Sequence, residues 1–193
     1  MGMAPKKFQI SNFKSQMKRS FGIFIFFLFL IFFLFFPNRI YAESSYVLPY
    51  PSGMPGSFAY KLHLVYEAIS KYWYFGDFGH FNYNLKMADK YLVEAKTLFE
   101  YKQYLLGYKA LRKSNPYFTN ISSSIAKAES KHKNVTQKRL VLKEAAQKHI
   151  ETLKKMEIDT PDVFNWQPEK VLPTTLYLKK AILNSVLVRE KSL

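Results

Sequence analysis

The sequence predicts an all-α fold: a long antiparallel helical hairpin with shorter N- and C-terminal helices packed against it. Apolar residues recur at alternating intervals of three and four over two long stretches, which is the spacing of one helix face. A short turn signal separates the stretches, so the two helices should run antiparallel. The chain lacks both the apolar–polar alternation of half-buried strands and an Asn-Gly or Asp-Gly turn, so we expect no strands.

The composition restricts the chemistry that the chain can perform. Its 193 residues allow one ordinary domain with an appendage, and they carry a formal net charge of +15. Cysteine is absent. That absence excludes a disulfide scaffold, a thiolate zinc site, an iron–sulfur cluster and a cysteine nucleophile.

Residues 1–42 predict a signal peptide or an N-terminal membrane anchor. Residues 1–20 hold five Lys or Arg and no acidic residue, and residues 21–36 contain only Phe, Ile, Leu and one Gly. The apolar helix spans about 24 Å, less than the ~30 Å hydrocarbon core, which favours cleavage after Ala42. An uncleaved anchor is the alternative. Both interpretations place residues 43–193 outside the cytoplasm. The domain would be secreted after cleavage, or it would be tethered to the cytoplasmic membrane by residues 21–36.

A Pro-rich connector over residues 43–56 leads into the first helix. Three Pro and two Gly fall between Tyr46 and Gly56, which excludes a helix interior there. Ser57 can cap a helix from Phe58 to about Tyr74. The apolar residues at helical spacing in this helix are Leu62, Val65, Ile69 and Trp73.

The helical hairpin domain covers residues 57–156. We predict a second helix from Asp77 or His80 to about Lys113, followed by a turn with a cap at Ser114-Asn115-Pro116. Gly107 should weaken this helix by up to ~1 kcal/mol relative to Ala. The apolar seam, spaced as in a coiled coil, is Phe81, Leu85, Ala88, Leu92, Ala95 and Phe99.

A third helix is predicted from Tyr117 to about Met156, with the same seam spacing. The seam is polar from His132 to Arg139, where we expect loose packing or a kink. Helices of about 36 and 40 residues would each be roughly 55–60 Å long at 1.5 Å per residue.

Residues 157–193 predict a Pro-containing linker and a C-terminal helix. Three prolines interrupt the linker, whose Phe164 and Trp166 are expected to pack. The Thr174–Thr175 pair offers a cap for a last helix that ends near Arg189.

Two segments together resemble a known family. They are LPYPSGMPGSFAYKL at residues 48–62 and YNLKMADKYLVEAKTL at residues 83–98. The Pro-rich stretch and the L-x-x-A-x-x-x-L-x-E-A helix are similar to a family of exported bacterial proteins, frequent in candidate-phylum bacteria and described only as a domain of unknown function. The resemblance covers roughly residues 46–156. It implies a secreted or membrane-tethered helical domain with no catalytic residue.

No motif in the sequence predicts catalysis or a cofactor. The four histidines lack the H-x-x-x-H spacing of two ligands on one helix face, and no nucleophile-elbow, zinc-protease or phosphate-loop motif occurs. We therefore expect no catalytic, cofactor-binding or metal-binding residues. We single out His149, which lies beside Lys148 in an otherwise apolar seam.

A dense aromatic group follows the first helix. Burial tendencies favour a small core where the first two helices meet, and the alternative is a partner surface or an aromatic belt near the membrane. The residues assigned to the partner surface are Tyr72, Trp73, Tyr74, Phe75 and Phe78.

Basic residues of the third helix suit a polyanion-binding surface. DNA, anionic lipid and acidic wall polymer are the ligands that such a surface binds. A solvated Lys-rich face is the alternative. The residues assigned to this surface are Lys131, Lys133, Lys138, Arg139 and Lys143.

These patterns favour a non-enzymatic exported or membrane-tethered helical module that acts through protein–protein or cell-envelope contacts. Its partner would be an envelope protein of unknown identity or the membrane surface. The alternative function is extracytoplasmic polyanion binding through the basic third helix, with nucleic acid possible but not favoured. We expect no small-molecule substrate.

Overall fold

A computed structural model describes residues 44–51, 53, 55, 58–170 and 172–193. The described residues belong to one compact unit, Glu43–Leu193. The predicted leader and its cleavage site lie outside the described residues. Within the described ranges, no helix combines the length and the apolar character that crossing a bilayer requires.

The all-α prediction is confirmed, because helices dominate the described chain and pack against one another. The first predicted helix is present and ends in a single 3-10 turn, and two short strands precede the last helix. The elements are α1 (Phe58–Ser70), the 3-10 turn (Lys71–Trp73), α2 (Gly76–Glu100), α3 (Tyr104–Ser130), α4 (Thr136–Ile158), β1 (Val163–Trp166), β2 (Thr174–Tyr177) and α5 (Leu178–Glu190).

The corner of the hairpin lies at residues 101–103, and the predicted turn at residues 114–116 is wrong. Lys102 adopts a left-handed conformation with φ 58°. Its N–H donates to the Phe99 carbonyl at 2.9 Å, and the Gln103 N–H donates to the Leu98 carbonyl at 2.8 Å. These bonds satisfy the last carbonyls of α2 and end the helix without a glycine.

The predicted third helix is two helices, because the chain turns again at residues 131–135. His132 has φ 56°, and the Lys133 N–H donates to the Ala128 carbonyl at 3.1 Å. This is the same left-handed helix end as at Lys102. The break falls inside the polar stretch where a kink was expected. Consequently α2 and α3 have 25 and 27 residues and are about 40 Å long, shorter than predicted.

The seam positions are confirmed even where the helix boundaries are not. In α2 every predicted seam residue is buried except Leu85, which is half-buried. From Phe118 to Met156, every seam position except His132 and Arg139 is buried. The spacing of apolar residues therefore predicted which side of each helix faces the core.

The expectation of no strands is wrong. The strands β1 and β2 pair antiparallel, with Phe164 opposite Leu176 and Trp166 opposite Thr174. Each strand has four residues, too few for a period-two pattern to stand out in the sequence. As predicted, Phe164 packs against the core. Thr174 and Thr175, which were expected to cap the last helix, belong to β2.

Three clusters of buried residues form the core of the described unit, the smallest of them being Tyr83, Met87 and Tyr91. The two larger clusters are mainly aliphatic. One includes Leu98, Leu111, Leu153 and Ile182, and the other lies around Phe118. These clusters hold α2, α3, α4 and α5 together.

Gly107 lies where α3 packs against the end of α2. A Cβ atom at this position would stand 2.6 Å from Cδ2 of Phe99. The glycine therefore permits close packing, whereas the sequence suggested only a weak point in a helix.

Candidate functional site

The helix α1 presents its apolar residues to solvent. Leu62, Val65 and Ile69, which recur at helical spacing, are each at least 50% exposed. Large apolar residues on one side of a helix normally face the core. We call the exposed set the α1 apolar face; it consists of Phe58, Leu62, Val65, Tyr66, Ile69, Tyr72, Trp73 and Phe75.

The opposite side of α1 attaches to α2 through polar groups. The Tyr60 hydroxyl donates to Oε1 of Glu94 at 2.9 Å. The Glu67 carboxylate pairs with Lys90 and accepts a hydrogen bond from the Tyr91 hydroxyl at 3.1 Å. Because these polar contacts face inward, the apolar residues of α1 must face outward.

The structure divides the predicted aromatic partner surface. Trp73 and Phe75 are 61% and 80% exposed, and Tyr72 is exposed as well. Tyr74 is half-buried and packs on Tyr83, with ring centres 5.5 Å apart. Phe78 is half-buried against the core cluster around Phe118. Three of the five residues thus belong to the α1 apolar face, and the other two belong to the packed interior.

The predicted polyanion surface does not lie on one helix. Lys131 and Lys133 occupy the turn between α3 and α4, and both donate to the Asp77 carboxylate at 2.8–2.9 Å. The hydrogen bonds from the two lysines lower the pKa of Asp77 to about 2. The two lysine charges are therefore partly neutralised within the protein.

The other three basic residues do lie together on α4. Arg139 pairs with Glu129 at 2.6 Å. Lys138 donates to Oδ1 of Asn82 at 3.0 Å, and Lys143 is exposed. An open basic row along a single helix, as the sequence suggested, is not present.

His149 lies at the centre of a buried polar network. It is completely buried, and its Nε2 is 2.7 Å from Oδ1 of Asp89. Its Nδ1 is 3.3 Å from Nε of Arg189. Because a guanidinium can only donate, Nδ1 accepts and Nε2 carries the proton that is shared with Asp89. Burial lowers the pKa of His149 and keeps the ring neutral.

Arg189 supplies the positive charge of this network. The side chain is fully buried and donates to Ser114 Oγ at 2.7 Å and to the Ser185 carbonyl at 2.9 Å. Burial lowers the pKa of Arg189 to about 9, so the group stays charged at neutral pH. From the connector before α1, the Tyr46 hydroxyl donates to Oδ2 of Asp89 at 2.6 Å.

The network contains the residue types of a serine hydrolase, but it lacks their geometry. Ser114 Oγ donates to the Ala88 carbonyl at 2.8 Å and accepts from Arg189. His149 uses both ring nitrogens on other partners, and neither Ser114 nor His149 is exposed. A hydrolase needs an accessible nucleophile bonded to its base, and in this network Ser114 is neither accessible nor bonded to His149. In the described part of the chain, no three His, Asp or Glu side chains are grouped as metal ligands would be.

The sequence singled out His149 but not its partners. In the sequence, Asp89 is one more carboxylate beside a lysine, and Arg189 is a basic residue near the end of the predicted last helix. Ser114 and Asn115 appeared to be a helix cap, whereas both contact Arg189. Apolar spacing carries no signal for such pairings, because the bonded partners are 40 to 75 residues apart.

Comparison with known proteins adds no relative. No protein-family model matches the chain, and no curated protein and no solved structure matches it. The resemblance to an exported bacterial family therefore stays a prediction.

Proposed function

We propose that the chain is a non-enzymatic extracytoplasmic module that binds the surface of the membrane through the α1 apolar face. The observation that carries this proposal is the orientation of α1. The helix attaches by its polar side and leaves a continuous row of apolar residues outside. Exposed apolar patches of this kind mark interaction sites.

The composition of the face suits a lipid surface. Phe, Leu, Val and Ile lie along the helix, and Tyr72 and Trp73 stand at its end. Lys61 and Lys71 are exposed on the same segment. Aliphatic residues, terminal aromatics and flanking lysines are typical of helices that lie in the interface of a bilayer.

Charge and chain length support the same partner. Residues 1–42 contain six of the 29 Lys and Arg and none of the 14 acidic residues, so the remainder carries a net charge of +9. A positive domain is attracted to anionic lipid headgroups. Only seven residues separate Phe36 from Ser44, and an extended chain covers at most ~3.6 Å per residue. A retained leader would thus keep the domain beside the bilayer.

Vesicle binding tests the proposal. A fragment of residues 43–193, with its folding checked by circular dichroism, is mixed with phosphatidylglycerol–phosphatidylcholine vesicles and sedimented. The variant Leu62→Ser, Val65→Ser, Ile69→Ser should bind at least tenfold more weakly, because each residue loses apolar transfer energy of ~1 kcal/mol or more. Its stability should change little, since these side chains are already exposed.

A matched control separates α1 from apolar residues in general. Leu140, Leu183 and Leu187 lie on α4 and α5 and are exposed to a similar degree, so their triple replacement by Ser should leave vesicle binding unchanged. Lipid would be rejected as the partner if the two triple variants lost vesicle binding equally. It would also be rejected if the wild-type fragment did not bind vesicles. A protein partner for the α1 apolar face would then be the remaining explanation.

The basic residues give weaker support to polyanion binding. Lys131, Lys133 and Arg139 already meet carboxylates of the same chain. If vesicle binding survives the α1 changes and disappears in Lys131→Gln, Lys133→Gln, the polyanion alternative replaces the membrane proposal.

A further inference from the structure

A cavity of about 550 Å³ opens between α1, α2, α3 and β2, and it does not include the α1 apolar face. Its volume is in the range of small-molecule sites, which are largely apolar with a few polar groups. The apolar part of its lining is Leu105, Leu106, Tyr108, Ala110 and Leu176.

Glu94 brings an unsatisfied carboxylate oxygen to this cavity. The residue is 5% exposed, and its Oε1 accepts the hydrogen bond from Tyr60. Among the described residues, no donor reaches its buried Oε2. A buried carboxylate oxygen without a donor is costly, and native proteins rarely keep one without a use. Glu94 also lines the cavity, so its carboxyl group has hydrogen-bonding capacity left for a bound molecule.

Positive charges surround the mouth of the same cavity. Lys109, Arg112 and Lys113 line it and are exposed. The Arg112 guanidinium lies 5.9 Å from the centre of the Tyr108 ring, another lining residue. Burial raises the pKa of Glu94, and the Tyr60 hydrogen bond, Lys90 and Lys113 oppose this effect only in part. Glu94 is the one acidic side chain among the described lining residues, so the cavity attracts anions.

We propose that this cavity binds a small anionic amphiphile that carries a hydrogen-bond donor. An acyl or aromatic body would occupy the apolar interior, an N–H or O–H group would donate to Oε2 of Glu94, and an anionic group would meet the cations at the mouth. An N-acyl amino acid has all three parts. The molecule would be a bound ligand and not the substrate of a reaction, so the proposal is compatible with the expectation of no small-molecule substrate. It does not rest on membrane binding by α1.

Photo-crosslinking tests the site in the full chain, reconstituted in lipid nanodiscs. The probe is N-decanoylglycine with a diazirine in its acyl chain, and labelled peptides are identified by mass spectrometry. Labels should fall on peptides that contain Leu105, Tyr108 or Leu176, and N-octanoylglycine should compete. Octyltrimethylammonium should compete at least tenfold more weakly, because its charge has the wrong sign. Labels confined to the α1 apolar face, or equal competition by the cation, would overturn the proposal.

Variants at the strand β2 supply a matched pair. Both threonines are exposed, but only Thr174 lines the cavity, whereas the Thr175 hydroxyl donates to Oδ1 of Asn165 at 3.0 Å. Neighbouring residues of a strand point to opposite faces. Thr174→Trp should therefore reduce labelling at least tenfold, and Thr175→Trp should leave it unchanged. Equal labelling of the two variants would reject the cavity as the site.

The role of Glu94 is tested with a pair of competitors that differ only at the proposed donor. N-octanoylsarcosine differs from N-octanoylglycine by a methyl group in place of the amide hydrogen. It should compete about fivefold more weakly against the wild-type chain, and the variant Glu94→Met should abolish this difference. Equal competition against the wild type would remove the hydrogen bond to Glu94 from the proposal.

Discussion

Asp89 and His149 lie 60 residues apart in the sequence and 2.7 Å apart in the core. The imidazole lies between the Asp89 carboxylate and the Arg189 guanidinium. Each charge is therefore balanced through a neutral ring. Balanced buried charges add little net stability, but removal of one partner is costly, because the other is left without compensation.

The variant Asp89→Asn should lower the free energy of unfolding by about 3 kcal/mol or more. The substitution keeps the size of the side chain but leaves the Arg189 charge unbalanced. Urea unfolding followed by circular dichroism measures the effect. Asp162→Asn is the control, because Asp162 forms an exposed pair with Lys179 and should change stability by less than ~0.5 kcal/mol. Similar losses at the two sites would show that the buried charge is unimportant.

His149 should make the protein less stable in mild acid. Its pKa is lowered on folding, so the unfolded chain takes up the proton first as pH falls below ~6.5. The contribution is complete above that pH, and stability should fall steadily between pH 7.5 and 5.5. Urea titrations at both pH values should show this loss, and His149→Gln should remove it. Asp77, with a pKa of about 2, loses its contribution only below pH ~4, outside this window.

Gly107→Ala should destabilise the protein by about 1–3 kcal/mol, although alanine is the better helix former. The new methyl group would collide with the Phe99 ring. The cost should shrink in a Phe99→Leu background, where the colliding ring atoms are absent, and a double-mutant cycle measures this coupling. Additive effects of the two changes would show that Gly107 and Phe99 do not constrain each other.

Pro116→Ala should stabilise the protein by about 1–3 kcal/mol. The proline lies inside α3 and lacks the N–H that would donate to the Arg112 carbonyl one turn earlier. It is exposed, so little packing is lost on replacement. The midpoint of thermal unfolding should rise, whereas Asn120→Ala, an exposed change in the same helix, should shift it much less. An unchanged midpoint for Pro116→Ala would mean that the helix tolerates the missing bond without cost.

The seams could be predicted from the sequence, whereas the corners could not. Apolar spacing placed Leu92 and Phe118 in the core, because the period of a helix depends only on local geometry. Lys102 and His132 end their helices in a left-handed conformation, which glycine usually adopts. Because neither residue is glycine, the sequence does not predict a helix end at these positions. Ser114-Asn115-Pro116 resembles a helix start in sequence, yet the core uses its polar groups to hold Arg189.

The orientation of α1 also lay beyond sequence analysis. The spacing of Leu62, Val65 and Ile69 predicted a helix with one apolar side, but periodicity does not say what that side meets. Bonds from Tyr60 and Glu67 to residues of α2 decide the direction. Those partners are 24 and 34 residues away, so only the folded chain brings them together.

The placement of Arg189 imposes an order on assembly. Asp89 and His149 come from helices that emerge earlier in synthesis, while the cation that completes their neutralisation arrives only with α5. A nascent chain that ends at α4 would hold a carboxylate in its interior with no counter-ion, and such a core should remain open to water. The core should therefore reach its final packing only after the last helix has been made.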